Sequence, residues 1–151
     1  MSLQGFLFAL MAVCAGALFP VQSAVNAWLA RGIGGPIAAT VISFVSGLIV
    51  LLIVNAAVFR QFPSLADLRA QPLPLLWIGG VIGAIFLSAN VFLAPRLGAA
   101  PTLCFVIAGQ VVAAMTIDRL GLFGFSVREL SVGRVGGALL VLVGAIVVRL
   151  G

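Results

Sequence analysis

The chain has 151 residues, of which 64% are hydrophobic and 7% are charged, and its mean hydropathy is +1.35. Soluble domains carry about 25% charged residues, so we expect one transmembrane domain over residues 1–151 and no separate soluble domain. The sequence contains no His, Lys or Tyr. This absence removes most general-base, Schiff-base and metal-site chemistry, so we expect neither an enzyme nor a bound metal or cofactor.

The net charge of +5 comes from eight arginines against three acidic residues. The arginines stand at the ends of apolar segments, without runs and without interleaved aromatic residues. We therefore interpret them as anchors at the membrane interface and expect no nucleic-acid partner. Cys14 and Cys104 lie inside apolar runs, where a free cysteine behaves as a small hydrophobic residue, so a disulfide is not expected. The N-terminus lacks the basic region of a signal peptide, and the first segment is interpreted as a retained helix.

Five apolar segments are long enough to cross a bilayer, which takes roughly 20 residues. They lie near Leu3–Ala30, Pro36–Phe59, Leu73–Ala94, Ala99–Ile117 and Val132–Leu150. No segment shows the alternating pattern of a membrane β-barrel. The sequence therefore predicts an all-α integral membrane protein with five transmembrane helices.

A polar cluster follows Pro20 in the first segment. Gln22 and Asn26 are four residues apart and so share one face of a helix, while Pro20 lacks a backbone N–H and predicts a kink. In hydrocarbon an unsatisfied polar group costs several kcal/mol. The cluster therefore either bonds to another helix or marks a place where a ligand supplies the missing bonds, and both interpretations stay open.

The later segments carry fewer polar residues. Small and hydroxyl residues in the second segment favour close helix packing, and Gly79-Gly80 with Gly83-Ala84 forms a GxxxG pattern in the third. Asn90 follows, and Pro95 is expected to close that helix. Gln110 lies near the middle of the fourth segment, where an amide is costly, and it has the same two interpretations as the first cluster.

Two connections carry capping signals, since Ser64 and Asp67 predict a capping box that opens a short interfacial helix, and Ser126 and Glu129 have the same spacing. The arginines divide five to three between the two sides of the membrane, which is a weak bias under the positive-inside rule. We therefore expect a chain that can insert in both orientations.

Together these residues resemble the YdcZ-like family of short, five-helix proteins in the drug/metabolite transporter superfamily. The resemblance spans nearly the whole chain and rests on the order and spacing of several motifs: Pro20-Val21-Gln22-Ser23-Ala24-Val25-Asn26-Ala27, Gly34-Gly35-Pro36, Ser43-Phe44-Val45-Ser46-Gly47, Trp77-Ile78-Gly79-Gly80, Gly83-Ala84, Pro95-Arg96-Leu97-Gly98-Ala99-Ala100, Gly109-Gln110, Asp118-Arg119-Leu120-Gly121 and Arg134-Val135-Gly136-Gly137.

The resemblance implies a half-transporter of the bacterial inner (plasma) membrane, whose partners are the lipid bilayer and a second, inverted copy of itself. Such an antiparallel homodimer would export a small polar substrate by alternating access, with the substrate held between the two copies. Carried over position by position, Gln22, Asn26 and Gln110 would line the shared cavity. Trp28, Ser43 and Asn90 are further candidates for substrate binding.

The charges restrict the substrate. The smallest multidrug exporters of the superfamily use a glutamate in the first helix to exchange protons for cations, whereas Asp67, Asp118 and Glu129 all stand at segment ends here. A cation in such a site would lack its countercharge, so we expect a neutral or anionic polar substrate. The alternative function is a non-transporting membrane scaffold or accessory subunit, whose polar residues should scatter around the helices.

Overall fold

The computed structural model describes residues 3–151, and this part of the chain is helical, with no strand. Short π-helical and 3₁₀ turns follow α2 and α5 at Asn55–Phe59 and Leu122–Gly124. The helices are α1 (Leu3–Gly32), α2 (Pro36–Val54), α3 (Leu65–Ala70), α4 (Leu73–Leu97), α5 (Ala99–Leu120) and α6 (Val132–Leu150).

Every helix except α3 is long and apolar enough to cross a membrane, with α2 counted together with its π-helical turn as Pro36–Phe59. Most large apolar side chains on these helices are exposed. Such exposed apolar side chains are expected in a membrane, because the surrounding lipid chains are as apolar as leucine. The prediction of an all-helical protein with five candidate membrane spans is confirmed.

The observed helix ends differ from the expected ones by up to three residues. The helix α4 continues past Pro95 to Leu97, so the expectation that Pro95 closes it is wrong. A proline removes one backbone hydrogen bond, and near a helix end that loss does not stop the helix. The chain leaves α4 at Gly98, whose φ of 94° is a value that glycine adopts readily. Pro20 likewise lies inside an unbroken α1.

The structure divides into two compact units, one that ends at Pro95 and one that begins at Arg96. The first unit contains α1, α2, α3 and nearly all of α4, and the second contains α5 and α6. The single transmembrane domain expected from the sequence stays a prediction.

In the first unit α1, α2 and α4 pack through small side chains. A short connection joins α1 to α2 through Gly35, whose φ is 113° and whose N–H donates to the Ala30 carbonyl at 2.9 Å. Phe19 of α1 stacks on Phe86 of α4 with ring centroids 5.3 Å apart. The buried hydrophobic cluster between these helices consists of Ala27, Ala39, Leu87 and Val91.

The connection from α2 to α4 is held by local hydrogen bonds. The predicted capping box is confirmed, because the Ser64 hydroxyl accepts from Asp67 N–H at 3.1 Å and the Asp67 carboxylate accepts from Ser64 N–H at 2.9 Å. The hydrogen bonds from the Ser64 side chain and backbone lower the pKa of the exposed Asp67 carboxyl. The sequence signal was sufficient here because every partner lies within three residues.

The second unit pairs α5 with α6 across the loop between them. The cap predicted at Ser126 and Glu129 is wrong, since α6 begins later and Ser131 caps it by accepting from Arg134 N–H at 3.3 Å. The reason is a tertiary bond: Arg128 N–H donates to the Asp118 carbonyl at 2.9 Å and holds the segment against the end of α5.

The GxxxG pattern of α4 gives a test of helix packing. A Cβ on Gly83 would lie 3.3 Å from the Phe44 ring on α2, whereas a Cβ on Gly79 would meet nothing within 4 Å. Overpacking costs about 1–3 kcal/mol, so we expect Gly83→Leu to lower the free energy of unfolding by this amount. Gly79→Leu, the matched control one turn away, should leave it nearly unchanged. Equilibrium unfolding in mixed micelles measures both, and equal losses for the two variants would contradict this packing.

Candidate functional site

The helices α1 and α2 bring together three of the residues predicted from the sequence. The Ser43 hydroxyl on α2 donates to the Asn26 side-chain oxygen on α1 at 2.6 Å. Asn26 is only 4% exposed, Ser43 is half-buried, and Gln22 lies one turn before Asn26 with its side chain exposed. Gln22, Asn26 and Ser43, together with Ser23, form what we call the α1–α2 polar cluster.

Two polar atoms of this cluster have no hydrogen-bond partner within the protein. They are the Asn26 side-chain nitrogen and the Ser23 hydroxyl, and both are buried. A buried polar atom left without a partner costs about 1–3 kcal/mol, and such atoms are rare in folded proteins. Because the Asn26 oxygen already accepts from Ser43, the unused atom of this amide is a donor. The cluster therefore contains an amide donor that no group of the protein uses.

Two open clefts adjoin the cluster. The first, of about 410 Å³, lies between α1, α2 and α4 and joins Gln22 and Ser43 to the rings of Phe19, Phe44 and Phe86. The second, of about 660 Å³, lies along α1 and α2, and its polar lining residues are Gln22, Asn26, Ser43 and Ser46. Gln22 and Ser43 line both, so one side of the cluster faces three phenylalanine rings and the other faces mainly aliphatic side chains.

No charged side chain lines either cleft. Their polar groups are carboxamides and hydroxyls, which both donate and accept hydrogen bonds. In addition, no group of three His, Cys, Asp or Glu side chains within residues 3–151 is arranged to hold a metal ion. The clefts therefore suit a compound with polar groups and an apolar part, bound by hydrogen bonds and ring contacts.

A second polar contact joins α2 to α4, and both of its hydroxyl groups make hydrogen bonds within the protein. The Ser88 hydroxyl donates to the Thr40 hydroxyl at 3.2 Å, and Thr40 in turn donates to the Pro36 carbonyl of its own helix at 2.9 Å. This contact agrees with the packing role that the sequence favours for the hydroxyl residues of α2. It differs from the α1–α2 polar cluster, in which the Asn26 side-chain nitrogen and the Ser23 hydroxyl have no hydrogen-bond partner.

The other predicted site residues have different surroundings. Asn90 is buried in α4, where its side-chain nitrogen donates to the Phe86 carbonyl at 2.8 Å and its side-chain oxygen has no partner. Trp28 is 73% exposed on α1 and lines neither cleft. Gln110 is exposed in the middle of α5, which belongs to the second unit. The substrate-binding roles of all six residues stay predictions.

Sequence reasoning missed part of the cluster and its apolar side. Ser23 is part of a motif that carries the family resemblance but is not among the predicted site residues, although its spacing of three from Asn26 places both on one helix face. Phe19, Phe44 and Phe86 gave no signal, because phenylalanine in an apolar segment is ordinarily explained by lipid or core contact.

The bond between Ser43 and Asn26 can be measured by a double-mutant cycle. Ser43→Ala removes the donor and leaves the buried Asn26 oxygen without a partner, so the free energy of unfolding should fall. The coupling energy between Ser43→Ala and Asn26→Ala should be about 0.6–1.7 kcal/mol, the range for hydrogen bonds in membrane helices. The pair Ser43→Ala with Asn55→Ala is the control and should be additive. A coupling of zero for the first pair would contradict the contact.

Comparison with known protein families identifies a match. The model of a family described as "Putative inner membrane exporter, YdcZ" matches residues 7–147, which is nearly the whole chain. No curated protein and no solved structure matches this chain. The family resemblance inferred from the sequence motifs is therefore confirmed.

Proposed function

Because the chain belongs to the YdcZ family, whose description is that of an inner membrane exporter, we propose that it moves a small polar compound across the bacterial inner membrane. The compound is neutral or anionic, and the protein works by alternating access. A family of exporters is a class of transporters and not of enzymes, and the five apolar helices are those of a multi-pass membrane protein.

The observation that carries this proposal is the unused donor of Asn26. Its side-chain nitrogen is buried without a partner, in a residue that lines the open cleft along α1 and α2 and in a helix where lipid cannot satisfy it. If the cluster served only to join helices, its donors and acceptors would be expected to pair with each other, as those of Thr40 and Ser88 do. A substrate with an acceptor oxygen would complete the cluster.

The surroundings of the cluster restrict the substrate class. The Asn26 nitrogen is a donor and Gln22 offers a further amide, so acceptors such as carbonyl, hydroxyl or carboxylate oxygens fit. The rings of Phe19, Phe44 and Phe86 accommodate an apolar or planar part of the same molecule. A cation is disfavoured because neither cleft supplies a negative charge.

The proposed assembly is an antiparallel homodimer with the substrate between the copies. Transporters built from inverted repeats bind their substrates near the midplane, at the interface of the repeats. The weak arginine bias supports two orientations of one chain. In this assembly Gln110 joins Gln22 and Asn26 in lining the cavity, and Asn90 and Trp28 are additional lining residues.

Transport by variants tests the substrate site. Liposomes that contain the purified chain are first screened for uptake of neutral, anionic and cationic small metabolites. With a compound found in this way, Gln22→Leu, Asn26→Leu and Gln110→Leu should each lower the transport rate per folded protein at least tenfold, the effect of one lost hydrogen bond of about 1.4 kcal/mol. Gln4→Leu, at the exposed start of α1, is the matched control and should keep the wild-type rate.

The same variants separate the transporter from the scaffold interpretation. If the amides only join helices, transport should fall only as folded protein is lost. Wild-type rates per folded protein in all three leucine variants would show that these amides do not form the substrate site. The absence of uptake of any compound would favour the scaffold interpretation.

Orientation is tested by labelling from the two sides of the membrane. In a chain with Cys14 and Cys104 replaced by alanine, Ala66→Cys places one thiol on the exposed helix α3. An impermeant thiol reagent should modify one fraction of the molecules from outside sealed vesicles and the remainder only after the vesicles are opened. Modification of the whole population from one side alone would contradict dual topology.

A further inference from the structure

A groove on the second unit contains only one charged side chain. It has a volume of about 360 Å³ and runs between α5 and α6, from Arg119 to Val112 on one helix and from Val135 to Leu142 on the other. Each of these stretches contains eight residues, which rise about 10 Å along the helix. The remainder of the lining is apolar except for Thr116, whose hydroxyl donates to the Val112 carbonyl of its own helix at 2.9 Å.

Arg119 lines the end of this groove that lies near the loop between α5 and α6. It lies in the last turn of α5, where a candidate membrane span ends, and its side chain is exposed. The neighbouring carboxylate of Asp118 forms an ion pair with Arg134. The guanidinium of Arg119 takes no part in that ion pair and remains available to an anion.

The adjoining loop adds a second positive charge and an apolar surface. The backbone bond from Arg128 N–H to the Asp118 carbonyl brings Arg128 beside the end of α5. In the loop between the end of α5 and Arg128, Phe123 and Phe125 are exposed, and Phe123 has a left-handed φ of 57°. Exposed aromatic and arginine side chains together are typical of the level of the lipid headgroups.

We propose that this groove is a binding site for one anionic phospholipid, with the headgroup phosphate on Arg119 and an acyl chain between α5 and α6. The guanidinium is a planar donor that binds phosphate oxygens in bidentate geometry. The apolar lining continues from it into the hydrocarbon region, which is where the acyl chains of such a lipid lie. This site goes beyond the transport function and does not depend on it.

Charge complementarity favours a lipid over a second copy of this chain as the occupant. An apolar helix from another copy would fill the groove but would leave the exposed guanidinium at its end without an anion. Anionic phospholipid supplies the negative charge and the chain in one molecule. Zwitterionic phospholipid also supplies a phosphate, but it carries a positive group that adds repulsion from Arg119 and Arg128.

Native mass spectrometry of the full chain tests the site, with the protein released from nanodiscs that contain equal amounts of phosphatidylglycerol and phosphatidylcholine. We expect retained lipid to be mainly phosphatidylglycerol. Arg119→Gln should lower this retention about tenfold, because it removes a charge-assisted hydrogen bond, and Arg119→Lys should restore part of it. Arg149→Gln, at the far end of α6, is the matched control and should retain lipid as the wild type does.

The acyl part is tested by filling the groove. Ala138 lines it, whereas Ala114 is exposed on α5 outside it, so Ala138→Leu should lower lipid retention and Ala114→Leu should not. Equal retention of the two lipids, or wild-type retention in Arg119→Gln, would overturn the proposal whether or not Ala138→Leu folds. Displacement of the lipid by inorganic phosphate would show a site for free phosphate instead. Loss of a dimer in Ala138→Leu with unchanged lipid retention would assign the groove to a second copy.

Discussion

A buried amide in an apolar helix must find hydrogen-bond partners, and this constraint governs the first unit. Asn26 lies four residues after Gln22 on α1, and its side-chain oxygen accepts from Ser43 on α2. That bond fixes the register of the two helices at one point, since lipid offers no alternative partner. It also determines which atom of the amide remains unused. The proposed site is thus a consequence of the same contact that joins the helices.

The remaining contacts of the first unit are made by apolar side chains, two of them alanines, and by hydroxyls that are hydrogen-bonded within the protein. Between membrane helices there is little hydrophobic driving force, so close packing and polar contacts decide which faces meet. Ala27 and Ala39 let α1 and α2 approach each other, and Thr40 with Ser88 joins α2 to α4. The larger rings of Phe19, Phe44 and Phe86 line a cleft beside these contacts. The proposed substrate site therefore lies at the cleft that these packing contacts leave unfilled.

Sequence patterns predicted the features whose causes are local or compositional. Apolar length predicted the five spans, and the spacing of Ser64 and Asp67 predicted a cap whose partners lie within three residues. The bond between Ser43 and Asn26 joins residues 17 apart. No sequence pattern on either helix indicates which residue of the other helix it contacts. The expected cap at Ser126 failed for the same reason, because a tertiary bond to the end of α5 decides that segment.

The central claim is that a substrate takes the unused donor of Asn26. Its most direct test is the side-chain amide spectrum of ¹⁵N-asparagine-labelled protein in lipid nanodiscs, recorded with and without a transported compound. The account predicts that saturating compound shifts the Asn26 signals and slows their hydrogen exchange. The signals of Asn55, whose side-chain nitrogen already donates to the Gln61 carbonyl at 3.1 Å, should stay in place. Unchanged Asn26 signals with a compound that the same protein transports in liposomes would contradict it.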